Sequence, residues 1–320
     1  MESIEQLWII VLIPDLSQFL KISSAEFLNF KETAFSQRLH YHGTELLTYY
    51  PGDLFPSISV TGSECAMNCK YCNKHFLQHM LSAPTPDDLY QICLKLKEKG
   101  AIGCLISGGY SEKGVVPLTQ FLDTIKQIKS ELGLVINLHT GLVDREKAEN
   151  LAKVGVDVVS FDMVGDDRII KEVIGLQEIT VENYSHSLQH LHAAGLDVIP
   201  HVGLGFYYGK LDGVERALKE SLSINPRLLV FLVLWPKAGT EMENIKIPSI
   251  DSLQRIIVWT RLKKPKSSLS LGCMRPRDVK IEKVFVEGGI NRIEIPRQET
   301  VEFARKIGLK VQKHHQCCAI

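Results

Sequence analysis

From residue 57 onward the chain alternates short apolar runs of strand length with longer stretches of helical periodicity, and no other feature limits the fold as much. The candidate strands are residues 57–60, 103–106, 134–138, 157–161, 197–202, 228–233, 268–271 and 291–295. The stretch 86–97 represents what lies between them: Leu89, Ile92, Cys93 and Leu96 fall on one helical face, and Gly100 stands where a C-cap belongs. This alternation predicts a parallel sheet, and eight such units in roughly 240 residues fit an α/β barrel of the (β/α)8 TIM type. An open doubly wound sheet satisfies the same pattern, because periodicity does not reveal closure. In either fold, chemistry belongs at the C-terminal ends of the strands. Residues 1–50 are expected to form an N-terminal extension capping the barrel, 51–308 the barrel itself, and 309–320 a cysteine-bearing C-terminal tail.

Composition narrows the function classes. Of 320 residues, 45% are apolar, enough to bury a large core. Lysine plus arginine equals aspartate plus glutamate at 37 each, so no summed field favours nucleic acid or an acidic membrane, and neither is expected as a partner. The apolar run 7–13 is too short to span a bilayer and follows Glu2 and Glu5 rather than basic residues, which argues against a signal peptide. A cytoplasmic, reducing location is therefore expected, where clustered cysteines bind metal or react more often than they form structural disulfides. The basic stretch 261–266 reads as a solvated loop.

Cys65, Cys69 and Cys72 follow the first candidate strand, at the functional end of the barrel. The spacing C-x3-C-x2-C lets one compact loop aim three sulfurs at three corners of a [4Fe-4S] cluster, which ordinarily takes four thiolates. One iron is then left for a small molecule. The alternative is a zinc site with His75 completing Cys3His. Buried structural cysteines fit less well, because Asn68 and Lys70 between them are polar.

The loop, with Tyr71 before its last cysteine, resembles that of the radical S-adenosylmethionine (SAM) superfamily. The resemblance implies that SAM chelates the open iron and is cleaved to a 5′-deoxyadenosyl radical, which takes hydrogen from an unactivated carbon. It runs from about residue 50 to the end. Ser107, Gly108 and Gly109 are similar to the family's Gly-Gly-Glu motif near the SAM methionyl group, with Tyr110 in place of the acidic residue. Asn137 and His139, which alternation points the same way, match a pair that contacts SAM in biotin-synthase-like members. Gly203, in His201-Val202-Gly203-Leu204-Gly205, falls where the adenine lies, although a lone G-x-G also suits a tight turn.

Five other cysteines bear on the reaction. Cys93 and Cys104 read as core. Cys273 ends the seventh candidate strand, and Arg275 beside it occupies roughly the place of an arginine that ligates a second cluster in biotin synthases. Cys317 and Cys318 lie in a tail that is ordinarily frayed. A last helix near 298–307 descends to the far face, and 309–317 spans about 30 Å when extended, enough to climb back. Cys273, Cys317 and Cys318 are therefore candidates for holding an auxiliary iron–sulfur cluster. Its fourth position falls to Arg275, Cys104, His314, His315, substrate or nothing. A disordered tail, and a cysteine pair carrying a metal in transit, are the alternatives.

Two clusters about one cavity suggest sulfur insertion into a C–H bond. The stretches Phe55–Gly62, Ser160–Asp166 and Gly272–Pro276, with the terminal cysteine pair, resemble the two-component lipoyl synthases. That resemblance implies a paralogous radical SAM partner subunit, an octanoylated lipoyl carrier protein or domain as substrate, and a ferredoxin or flavodoxin as electron donor. Single-chain lipoyl synthases carry an N-terminal auxiliary cysteine motif, and residues 1–64 contain no cysteine. The rivals are a biotin synthase, a radical SAM isomerase or hydrogenase-maturation enzyme, and a non-catalytic iron–sulfur scaffold. Asp162, Asp166, Asp167 and Arg168 receive no role from the sequence.

Overall fold

The computed structural model describes residues 13–320, so the apolar run at 7–13 lies outside the described residues except for Ile13. Eleven strands form one sheet: β1 (Glu45–Tyr49), β2 (Ser57–Ser59), β3 (Leu81–Ser82), β4 (Gly103–Ser107), β5 (Val135–His139), β6 (Val158–Met163), β7 (Val198–Leu204), β8 (Leu228–Val233), β9 (Ser268–Leu271), β10 (Arg292–Glu294) and β11 (Lys310–His314). Their order is β11-β1-β10-β9-β8-β7-β6-β5-β4-β2-β3, and every pair is parallel. Helices follow most strands and pack on the outer face, as parallel sheets require. The helix Pro86–Glu98 shows how locally this is encoded: Thr85 accepts from the Asp88 amide at 3.1 Å, Asp88 accepts from the Thr85 amide at 3.2 Å, and Pro86 opens the first turn.

The eight expected strands are all present, and their α/β barrel is curled but open, with edges at β3 and β11. The curl can be read from the tail. Cys317 lies 3.6 Å from the Asn137 amide on β5, while Cys317 and Cys318 also stand against Glu294 on β10. One short segment reaches both only if the sheet bends round to bring them to a common interior. Ala319 then packs with Val158, Ile199, Leu228 and Val230, residues at or near the starts of β6, β7 and β8. The tail therefore climbs along β11 and folds back down into the lumen, closing its lower end.

Of residues 1–50, those described from 13 onward join the sheet and its helix layer. Helix Ser24–His42 packs on helix Ile250–Lys263, and buried Arg38 donates to the carbonyls of Gly43 and Glu45, fixing the entry of β1 between β10 and β11. The basic stretch is also not all solvated loop. Helix Ile250–Lys263 carries Arg261 fully buried, where its guanidinium donates to the Gly289, Pro265 and Ser267 carbonyls at 2.9, 2.9 and 2.7 Å. A cation with five donors gathers the carbonyls of two loops there. Only Lys264, Pro265 and Lys266 of that stretch follow the helix. No helix among the described residues is long and apolar enough to cross a membrane.

Candidate active site

The three-cysteine loop leaves β2 and is held by contacts that place each thiol. The Tyr110 amide donates to Cys65 Sγ at 3.3 Å, and Cys69 Sγ donates to the Ile174 carbonyl at 3.7 Å. Thr61 joins the loop to the turn after β4: its Oγ1 donates to the Glu64 carbonyl at 2.8 Å and accepts from the Gly109 amide at 2.7 Å. Gly109 is so close that a Cβ there would stand 2.0 Å from the Glu64 carbonyl oxygen and 2.6 Å from Cys65 Cα. All eight cysteines are free thiols. Burial pushes the Cys69 thiol up to about 12, with Cys72 and Cys65 adding repulsion.

The spacing of these thiols tests the single-ion reading. A tetrahedral zinc holds sulfurs about 3.8 Å apart, given Zn–S bonds of about 2.3 Å. Among the described residues, no three of Cys65, Cys69, Cys72 and His75 bring ligand atoms within 4.8 Å of one another, and His75 packs against His79 instead. A four-iron cluster, whose corners stand apart, fits this loop better than one ion.

Beside the loop lies a cavity of about 640 Å³, including its open mouth. Tyr71 from the loop lines it, meeting Phe206 edge to face at 4.7 Å, and Met274 beside Cys273 lines it as well. Gly203 contributes by having no side chain, because a Cβ there would fall 2.5 Å from the Phe206 ring. Most of the wall is apolar, with Asp162 and His201 set into it. His139 and His201 stand 5.5 Å apart, and His201 Nδ1 lies 4.0 Å from Asp162 Oδ1 without a hydrogen-bond partner. Burial, with His139 adding, holds His201 well below its ordinary 6.5, so it is neutral at pH 7. Burial raises Asp162, partly offset by His139 and by a hydrogen bond with Tyr110.

A second group of ligand types gathers deeper in the lumen. Among the described residues, Glu294, Cys317 and Cys318 alone form a set of three whose ligand atoms all lie within 4.8 Å. Cys273, just after β9, is exposed as a residue, while burial pushes its thiol up, with Glu294 and Cys317 adding repulsion.

The sequence model of the Radical SAM superfamily matches residues 59–219, half of the chain. The chain belongs to the radical SAM superfamily. A biotin synthase of Marinobacter nauticus is 22% identical over 278 residues, 81% of this chain and 78% of that one. A biotin synthase of Buchnera aphidicola is 23% identical over 223 residues, covering 68% of this chain and 64% of that one. In structure, methylornithine synthase (PylB) superposes with a TM-score of 0.65 at 18% identity over 93% of both chains. The FeFe-hydrogenase maturase HydG from Carboxydothermus hydrogenoformans superposes at 0.68 and 15% identity over 92% of this chain and 74% of that one. At such identities the structural likeness establishes the fold.

As a radical SAM enzyme the chain uses a four-iron cluster and SAM, and its free, widely spaced Cys65, Cys69 and Cys72 suit that cluster. Of the residues expected to meet SAM, Tyr71 and Gly203 line the cavity, His139 packs beside His201 outside that lining, Ser107 pairs with Ser59 of β2, and Gly108 and Gly109 pack against the start of the cysteine loop. Asn137 points into the lumen as alternation requires, but it sits lower, accepting from Ser160 at 2.9 Å and donating to Cys317.

Arg275 occupies a different role from the one expected. Its guanidinium is wholly buried, paired with Glu282 at 2.7 Å and donating to the Gly272 and Glu294 carbonyls at 2.6 and 2.7 Å. It pins the β9 and β10 ends together and forms a buried pair with Glu282. Cys104 faces away from the lumen, hydrogen-bonded to Cys93 on helix Pro86–Glu98. His314 stacks on Tyr49 at 5.3 Å, and His315 reaches the Tyr50 carbonyl at 3.3 Å. Asp166 and Arg168 pair at 2.7 Å, with Asp212 joining at 2.6 Å, and Asp167 accepts from the Val181 amide at 2.8 Å, all structural engagements. Sequence reasoning passed over Glu294 and His201. The available signal was position: both belong to candidate strands and point inward by alternation.

Proposed function

We propose that this radical SAM enzyme inserts sulfur into an unactivated C–H bond of a protein-bound octanoyl chain, as one subunit of a two-component lipoyl synthase with a paralogous partner. The observation that supports the reading is one cavity lined both by Tyr71 of the cysteine loop and by Met274, the residue after Cys273. Cys273, Cys317 and Cys318 would hold the auxiliary cluster that donates sulfur, and the biotin synthases to which the chain is similar are also named for building a sulfur-containing product. When bound, the first cluster and SAM supply a carbon-centred radical by reductive cleavage of SAM.

The chain's own residues supply position and exclusion. Thr61 and Gly109 hold the cysteine loop against the β4 turn. Tyr71 and Phe206, set edge to face, form an aromatic corner suited to a base, and neutral His201 with Asp162 offers hydrogen bonds to a polar group. Met163, Val164, Leu232 and Met274 present an apolar wall that suits an aliphatic chain and keeps water from a reactive carbon. An octanoyl group fits this wall better than a charged amino acid does.

The test is turnover under anaerobic reducing conditions with a ferredoxin or flavodoxin as electron donor, using an octanoylated lipoyl-carrier peptide with and without the paralogous chain. Thiolated peptide together with 5′-deoxyadenosine is the expected result. A biotin precursor serves as the second substrate, because both relatives described above are biotin synthases. Its thiolation in place of the peptide would move the assignment to that activity, and 5′-deoxyadenosine without any thiolated product would refute sulfur insertion.

A further inference from the structure

Three neighbouring strands end in loops that each set a cation on the C-terminal rim of the sheet: Lys237 after β8, Arg277 after β9 and Arg297 after β10. None of the three forms an ion pair among the described residues. The acids of the same loops are engaged elsewhere, Glu241 with Lys70 at 3.3 Å, Glu243 with the Gly239 amide at 2.8 Å and Asp278 with the Lys280 amide at 2.6 Å. Arg277 does feel Glu294, but that carboxylate is buried beneath the rim. Lys237 lies over the Trp235 ring, 3.0 Å from its centroid, and burial, with Arg277 adding, pulls its ammonium below its ordinary value. Cations crowded closely enough to repel one another are relieved by an anionic surface.

Between Arg277 and Arg297 stands Ile295, 42% exposed, with a φ of 43°. It is the only β-branched residue in the left-handed region among the described residues, and Pro296 after it favours an extended neighbour, so the turn is strained twice over. Hydrogen bonds hold it there from both sides. The Ile295 amide donates to the Tyr49 carbonyl at 2.8 Å, while Arg275 and Arg277 donate to the Ile295 carbonyl at 3.4 and 3.3 Å. Glycine would take the same turn without strain. An exposed apolar side chain kept in a costly conformation, with a ring of cations about it, has the make-up of an interface anchor.

Resting on the substrate proposed above, we infer that this rim is the docking surface for the carrier domain that bears the octanoyl chain, with Ile295 as its apolar anchor and Lys237, Arg277 and Arg297 meeting carboxylates on the carrier. The place of the patch favours that occupant. Met274, three residues before Arg277 in the same loop, lines the cavity, so a carrier seated on the rim delivers its acyl arm to the space beside it. The cations steer and orient the carrier, and the anchor holds it.

The experiment uses the full-length reconstituted chain with its paralogue, and compares a whole octanoylated lipoyl carrier domain with a short octanoylated peptide cut from it. Binding of the domain is followed by fluorescence anisotropy, and turnover is measured with both substrates. Ile295→Gly should weaken domain binding about fivefold, while its urea midpoint rises as the strained turn relaxes. Lys237→Glu with Arg297→Glu should weaken it about tenfold and remove its dependence on salt. Turnover of the peptide and 5′-deoxyadenosine formation should be unchanged in both variants. Domain binding unaffected by either variant would overturn the docking surface and leave the proposed function standing. Equal losses with domain and peptide would place these residues inside the cavity and overturn it as well. Loss of the paralogous chain from the complex, with carrier binding retained, would make the rim a subunit interface and remove the carrier from it. No binding or thiolation of either octanoylated substrate by the unaltered chain would overturn the substrate and the docking surface together.

Discussion

Gly109 shows how little room surrounds the chemistry at single residues. A methyl group there would overlap the Glu64 carbonyl and Cys65 Cα, both backbone atoms that cannot rotate away. Gly109→Ala should shift the loop and lower SAM cleavage at least tenfold, a change of about 1.4 kcal/mol or more in the barrier, with helix content unchanged by circular dichroism. Cys69→Ala should abolish 5′-deoxyadenosine formation, and undiminished formation would sink the assignment of this loop. Cys69 also predicts a pH dependence. Its folded value near 12 stands above the ordinary 9.0, so the metal-free chain keeps the full contribution of this group below pH 9 and loses it as pH rises toward 12. Urea midpoints should fall across that window and fall less in Cys69→Ser. His201 acts in the opposite sense: held below 6.5, it leaves stability complete above that pH and erodes it as pH falls, so His201→Gln should flatten the acid limb.

Among elements, the strands differed in how legibly they were written. Residues of β6, β7 and β8 are buried on both faces and carry long apolar runs, which is why their positions could be read directly. β11 is Lys-Val-Gln-Lys-His, a polar edge strand whose partner, β1, lies at the other end of the chain. No local pattern marks such a strand. The pair Arg275 and Glu282 was equally hidden, because an arginine after a strand end looks the same whether it faces a cofactor or a glutamate. Arg275→Met should cost about 3–5 kcal/mol by leaving Glu282 buried and unpaired, read as a fall in the urea midpoint, with auxiliary iron retained in whatever fraction remains folded. Iron lost in step with a ligand variant would instead restore Arg275 as a ligand. Removing residues 315–320 should uncover Val158, Ile199, Leu228 and Val230, lowering the melting temperature.

On the scale of the molecule, the sheet sets two cysteine groups on different sides of one lumen. The loop with Cys65, Cys69 and Cys72 leaves β2, while Cys273 follows β9 and Glu294 ends β10, with β8 to β4 between. Reconstituted wild-type chain should hold about eight irons, and the Cys273/Cys317/Cys318→Ala variant about four. That variant should still cleave SAM and make no thiolated product. Four irons in both would leave one radical-generating cluster and remove the sulfur donor.

By itself the sequence determined whatever depends on neighbours along the chain: eight strand–helix units, the helix caps, and a cysteine spacing that suits a cluster with one open iron. Tertiary structure decided which distant groups meet. Glu294 reaching Cys317 and Cys318, Arg275 turning to Glu282, and β1 entering between β10 and β11 all depend on strand register and on the curl of the sheet. Those are set by burial summed over the whole core, a quantity that no single stretch of residues contains.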